Sequence, residues 1–312
     1  MHTPLRSLRA AILISLALAA ALLSAGCGGD DPKATLDKAF STPIKSANVT
    51  LNAEAKVNGS GALSQPVKFT LTGPYQSNGQ NKIPSFKWAL SLGGGGQTLQ
   101  AGIASTGDNA FVSFQGSDYE IGQQEIARVN QQIAQGTKTK GTRSLKDFGI
   151  NPKDWVTSED NKGDEKVAGV DTTHISAGLD VKALFRDLNK TIDKAGTAAG
   201  SATGRTPTKL TDQQINQIAQ IVKDPKFDVY VAKDDHTVRR IAVALNFQVP
   251  QANQQQAAGA SSGNLTFSIE FADVGKPQTI TAPANPKPIS QLQKDTKALT
   301  GALGSLGGST TK

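Results

Sequence analysis

The sequence predicts an α+β fold: a strongly curved antiparallel sheet, or half-barrel, with helices packed across its apolar face. Three observations predict it. At least seven segments alternate apolar and polar residues with a period of two, the mark of strands with one packed and one wet face. None is a continuous apolar run of the kind a doubly covered parallel sheet needs. The helical periods lie in the middle of the chain, between two groups of strands, so the helices are placed to cover the apolar side of one sheet.

The elements follow in order. Arg6 and Arg9 precede an apolar run from Ala10 to Leu23, too short to span a bilayer comfortably and typical of a secretory leader. The run ends in Leu22-Leu23-Ser24-Ala25-Gly26-Cys27, which resembles a bacterial lipoprotein signal, although Ser24 stands where that signal usually has Leu. Residues 1–26 are therefore expected to be removed, Cys27 to be lipidated, and 27–32 to form a tether to the outer face of the cell membrane. Acyl chains contribute about 0.8 kcal/mol per buried CH₂, and two of them make a stable anchor where one does not.

A single domain is expected over 33–290, with a flexible tail over 291–312. Asp31-Pro32 reads as N-cap and first helical position of a helix over 32–42, carrying Leu36 and Phe40 on one face. Strands follow: 47–57 with Val49, Leu51 and Val57 on one side, then Val67–Leu71, Phe86–Leu92 and Leu99–Ile103. Ala110–Gln115 and Tyr119–Ile121 form a further pair. Ile126, Val129 and Ile133 predict an amphipathic helix, Thr137–Thr142 a polar loop, and Leu145, Phe148, Ile150 and Trp155 a small cluster. Val167–Ser176 reads as a hairpin. Asp180 caps a helix with Val181, Leu184, Phe185, Leu188 and Ile192 inward, and 194–208 is a Gly/Ala/Thr/Ser linker. Thr211 or Asp212 opens a helix with Ile215, Ile218, Ala219 and Val222 inward. Strands at Phe227–Val231, Ile241–Val249 and Leu265–Phe271 close the fold before a Pro-rich end.

Composition excludes several functions. Lys and Arg exceed Asp and Glu by 7, a surplus spread along the chain, which speaks for solubility and not for a nucleic-acid reader. One Cys excludes an internal disulfide and Cys-based metal clusters, and no cofactor or metal is expected. Gly259-Ala260-Ser261-Ser262-Gly263 matches the string of a hydrolase elbow but lacks the strand before it and the helix after it. Glu159, Asp160, Asp164 and Glu165 miss the spacing of a calcium loop and read as a solvated turn. His174 falls on a strand's polar face, and Asp234-Asp235-His236 on a hairpin tip. Catalysis has no visible constellation, so a non-enzyme is expected.

What remains is the apolar side of the sheet. Leu51, Phe69, Trp88, Leu90, Ile103, Val243, Leu245, Phe267 and Ile269 are the candidate lining of a cavity there. Composition by itself favours a core filled by its own side chains, since interiors pack to crystal-like density. An unfilled face would leave room for an apolar guest.

The order of parts resembles the LppX/LprAFG family of actinobacterial lipoproteins. The resemblance is carried by the lipobox Cys27, the short helix, the strand opening Ser46-Ala47-Asn48-Val49-Thr50-Leu51, the meander, the helical middle and a late hairpin. That hairpin runs Asp228-Val229-Tyr230-Val231-Ala232-Lys233-Asp234-Asp235-His236-Thr237-Val238-Arg239-Arg240-Ile241. It spans roughly residues 33–275 and is one of pattern more than of diagnostic residues. It implies a half-barrel enclosing a hydrophobic cavity for acylated lipids, an architecture similar to that of the LolA/LolB carriers, and it raises the cavity above the filled core. The function expected is a membrane-anchored lipoprotein that binds an acylated lipid and carries or presents it within the envelope. The alternative is a non-catalytic envelope interaction lipoprotein with a filled core.

Overall fold

The computed structural model describes residues 31–59, 65–79, 81–136, 151–190, 209–255, 257 and 259–292. The leader, Cys27, the loop from Thr137, the residues Leu145, Phe148 and Ile150, Ile192, the 194–208 linker and most of the tail lie outside them.

One open sheet of 12 strands organises these residues. A meander runs β1 (Ser46–Asn58), β2 (Val67–Gln76), β3 (Ser85–Gly94), β4 (Gln97–Thr106), β5 (Ala110–Phe114) and β6 (Ser117–Glu120). The second half holds β7 (Val156–Val167), β8 (Val170–Leu179), β9 (Val222–Ala232), β10 (Val238–Gln248) and β11 (Ser262–Ala272). β11 returns to pair with β1, joining the halves in the order β12-β6-β5-β4-β3-β2-β1-β11-β10-β9-β8-β7. The short β12 (Lys287–Pro288) lies parallel to β6; every other pairing is antiparallel. This is the curved α+β sheet the alternation predicts.

Local chemistry sets the register. Three hairpins close through two-residue turns in which both residues have positive φ: Gly95-Gly96, Gln115-Gly116 and Ala168-Gly169. Such turns match the right-handed strand twist and need a residue without a Cβ penalty at the second place. At the β9–β10 turn the Asp235 carboxylate accepts from the Thr237 amide and hydroxyl and from Arg239 at 2.7 Å. Burial raises the Asp235 pKa, but these donors and the guanidinium outweigh it and hold the group below the usual carboxylate range.

Three of the described helices pack over one half of the sheet. The helix α1 (Pro32–Ser41) is capped by Asp31 and buries Leu36 and Ala39. A second helix, α2 (Gln123–Gly136), buries Ile126 and reaches the β4–β5 turn, where Asn130 donates to the Gly107 carbonyl at 2.9 Å. The helix over 181–190 (α3) starts on the Asp180 side chain, which accepts from the Lys182 and Ala183 amides. Thr211 and Gln214 form a reciprocal capping box at the start of α4 (Asp212–Ile221). Leu36, Trp155, Val181, Leu184, Phe185 and Ile218 pack with Ile175, Phe227, Val229 and Ile241 in one core.

Several sequence expectations change: Val222, expected in a helix, instead opens β9. The acidic stretch Glu159–Glu165 is not a turn but the middle of β7, the edge strand, paired through its backbone to β8. Thr157–Lys166 are exposed apart from Asn161, so the strand shows no apolar alternation; charge along an edge discourages pairing with other chains. Leu188 is 48% exposed and not inward. The reason is Asp187, one place earlier and 3% exposed. Its carboxylate accepts from the Asn151 amide at 2.7 Å, Trp155 Nε1 at 3.0 Å and Lys190 at 2.7 Å. That capture turns the helix so that Val181, Leu184 and Asp187 face the sheet.

Burial raises the Asp187 pKa, and the Lys190, Asn151 and Trp155 donors more than reverse the effect, leaving it lowered. A lowered folded pKa contributes stability above the unfolded carboxylate range that disappears as pH falls through it. Asp187→Ala is expected to cost about 2–4 kcal/mol at neutral pH by leaving buried donors unpaired. In denaturant titrations the gap between wild type and variant should hold constant above about pH 5 and shrink below about pH 4. A pH-independent gap would remove the carboxylate from this role.

A half-covered apolar face

The registers align apolar residues across the sheet. One row of directly opposed residues runs Ile175, Val229, Ile241, Ile269, Leu51, Leu71, Leu90, Ala101 and Phe114, from β8 to β5. A second runs Ala177, Phe227, Val243, Phe267, Ala53, Phe69, Leu92 and Leu99. Trp88 opposes Ile103, and Leu245 opposes Leu265. All nine candidate lining residues therefore lie on one face. The alternation in each segment carried this information; the alignment between segments did not exist until the strands paired.

Cover changes along each row. In the first, Ile175 and Val229 are 0% and Ile241 6% exposed, while Ile269, Leu51, Leu71, Leu90, Ala101 and Phe114 are half-buried. In the second, Phe227 is 0% and Val243 7% exposed, Phe267, Ala53 and Phe69 are half-buried, and Leu92 and Leu99 reach 46% and 53%. The helices α1, α3 and α4 contribute to the core over β8–β10, so Val243 and Leu245 sit in filled core. Leu51, Phe69, Trp88, Leu90, Ile103, Phe267 and Ile269 belong to the half-covered part. Leu265, Phe267, Ile269 and Phe271 of β11 pack against the core and mark the border. Among the described residues the apolar side is an open face and not a closed chamber.

Trp88 stands out on this face. Its ring stacks on Phe86 with centroids 4.3 Å apart, and its Nε1 is buried with no hydrogen-bond partner among the described residues. An unmet donor of this kind costs about 1–3 kcal/mol and favours any acceptor that reaches it.

The opposite face is mostly polar, with Ala104 and Phe111 as buried apolar exceptions, and accounts for its own groups. His174 is 3.0 Å from Asp228 and 3.7 Å from Glu165, and it stacks on Tyr230 at 4.3 Å. Arg240 lies 5.2 Å from the Tyr230 ring centroid and pairs with Glu270 at 2.6 Å. Burial raises the Tyr230 phenol pKa, with Glu165 and Asp228 adding to it. The sequence placed His174 on this face but exposed and alone; cross-strand neighbours make it a partnered member of a ladder. Two open hollows, of about 400 and about 690 Å³, are lined mostly by this face: Asn52, Lys68 and Ser268 in one, Thr72, Ser91 and Gln100 in the other. Ser261 donates its hydroxyl to the Asn58 carbonyl at 3.2 Å and is followed by β11, so no helix follows the Ser as an elbow requires. Among the described residues no group of His, Cys, Asp and Glu is placed to hold a metal, and no helix is long and apolar enough to cross a membrane.

No family profile and no curated protein matches the chain. Solved structures similar to it include two whose names belong to the family that its sequence pattern resembles. One is the lipoprotein LppX of Mycobacterium tuberculosis, 12% identical, covering 80% of this chain and 97% of that one with a TM-score of 0.39. Another is LprF of Mycobacterium bovis, 12% identical over 82% of this chain and 99% of that one, with a TM-score of 0.42. A LolA superfamily protein of Nitrosomonas europaea is also similar, at 9% identity over 80% of this chain and 96% of that one, with a TM-score of 0.19.

Proposed function

We propose that this chain is a membrane-tethered lipoprotein whose half-covered apolar face binds an acylated lipid and carries or presents it within the cell envelope. The carrying observation is the change of cover along two continuous apolar rows, filled over β8–β10 and open from β11 to β4. Half-buried leucine and phenylalanine side chains gain about 25 cal/mol for each Å² of apolar surface that a guest removes from water. The Trp88 Nε1–H, without a partner among the described residues, supplies a donor for an ester or carboxyl oxygen at the head of such a guest. A protein with no guest would leave this face wet, which is why the filled-core alternative has less support than the sequence composition gave it.

The two indoles make the test direct, because Trp88 lies on the open part and Trp155 in the filled core. A brominated fatty acid should quench the emission of the wild-type protein and leave Trp88→Phe largely unquenched. Native mass spectrometry of the same sample should show the acyl mass bound. Equal quenching in the variant, or a clean apo mass under saturating probe, ends the proposal.

The tether has its own check. Cys27→Ala should move the protein out of the membrane fraction or leave it unprocessed. Unchanged fractionation would mean that Cys27 is not the anchor.

A further inference from the structure

We infer that the tip of the β3–β4 hairpin is a second contact with the bilayer, in which Leu92 and Leu99 enter the boundary between headgroups and acyl chains. The inference rests on the lipid tether proposed above.

Three independent features point there. First, Leu92 and Leu99 oppose each other directly and are 46% and 53% exposed. Gly95 and Gly96 between them have open space where a Cβ would be, so no described residue covers the tip. Second, from Trp88 to Gly107 the chain carries no charged residue, which keeps the cost of bringing this hairpin to a bilayer low. The turns at the other end of the sheet bear Asp108 and the run Lys233-Asp234-Asp235. An amphipathic surface with exposed leucines and no buried charge suits the membrane interface.

The third feature is direction. The middle of α1 is tied to the 3-10 turn Pro152–Trp155, just before β7, by the Asp37–Lys153 ion pair at 2.5 Å. Its C-terminal end feeds through 42–45 into the start of β1, at the opposite end of the sheet. The N-terminus of α1 thus points to the end where β7 starts. Following the antiparallel registers from β7 to β3, that is the end at which Gly94 and Gln97 meet. In a sheet curled as a half-barrel, strand ends of like sense form one rim. Only residues 28–31 separate the lipidated Cys from α1, a reach of roughly 15 Å, so this rim faces the bilayer.

The contact has a consequence for transport. Leu92 and Leu99 end the row that continues inward through Phe69, Ala53 and Phe267. A tip seated in the interface joins the acyl region of the membrane to the open face without a polar gap.

The test uses the lipidated protein reconstituted in vesicles of phosphatidylcholine and phosphatidylglycerol that contain nitroxide-labelled lipid. Cys27 is the only Cys and is acylated in this reading, so a fluorophore attaches only at an introduced thiol. Leu99→Cys should be quenched at least threefold more strongly than Asp108→Cys at the far end, and adding Leu92→Ser should remove most of that difference. Equal quenching at both positions in protein that still floats with the vesicles overturns the tip and leaves the tether standing. Protein that does not float overturns both. A signal that follows protein concentration instead of nitroxide lipid assigns the tip to a second copy of the chain and overturns the membrane contact.

Discussion

Leu71→Asn combined with Leu90→Asn should weaken binding of an acyl probe by about 100-fold while the protein keeps its fold. These residues oppose each other at the centre of the open face. Each is half-buried in the free protein, so in the proposed complex its remaining apolar surface would be covered by the guest and not by the core. Each leucine gives up the apolar surface a guest would cover, and an asparagine amide desolvated by an acyl chain costs about 1–3 kcal/mol, which together correspond to about tenfold in affinity per residue. The stability cost per site should stay below the about 2–5 kcal/mol of truncating a fully buried leucine, because both sites are already partly wet. Probe affinity from fluorescence titration and unfolding midpoints from denaturant melts measure the two quantities. Unchanged affinity would show that the open face is not where the acyl chain lies; a collapse of stability would show that the face is packed in solution.

Phe227→Ala should do the reverse. Phe227 is 0% exposed, on the second apolar row but inside the filled half, with its ring edge-on to Trp155 at 5.9 Å between centroids. Truncation leaves a cavity beneath α1 and α3 and is expected to cost about 3–5 kcal/mol. Binding by the remaining folded protein should change little, since Val243 lies between Phe227 and the border strand β11. A small loss of stability would mean that the helices do not seal this half. These two outcomes together would separate one continuous apolar surface into a part that holds the fold and a part that binds.

Much of this was legible in the chain. Period-two alternation located nearly every strand of the sheet; Asp31-Pro32 and Asp180 marked helix starts that the side-chain caps confirm, and of Thr211 and Asp212 the cap is Thr211. The acidic strand β7 was not legible, because an edge with both faces wet has no apolar rhythm to read. Asp187 was hidden too: a carboxylate three residues beyond Leu184 looks like a solvent position until Trp155 and the Asn151 amide are seen to need it. His174 looked isolated for the same reason, since Asp228 and Tyr230 lie 54 and 56 residues away in sequence and meet it only across β8 and β9.

By itself the sequence determined that one face of every long inner strand would be apolar, because side chains alternate across a strand whatever its partners are. It also determined that Leu51, Phe69, Trp88, Leu90 and Ile103 would share that character. Only the tertiary structure decided which stretch of the face is closed and which stays open. Cover depends on where helices dock, and that is set by contacts between residues far apart in the chain, such as Asp37 with Lys153 and Asp187 with Trp155. These contacts draw α1 and α3 over β8–β10 and leave the leucines of β1–β4 half-exposed.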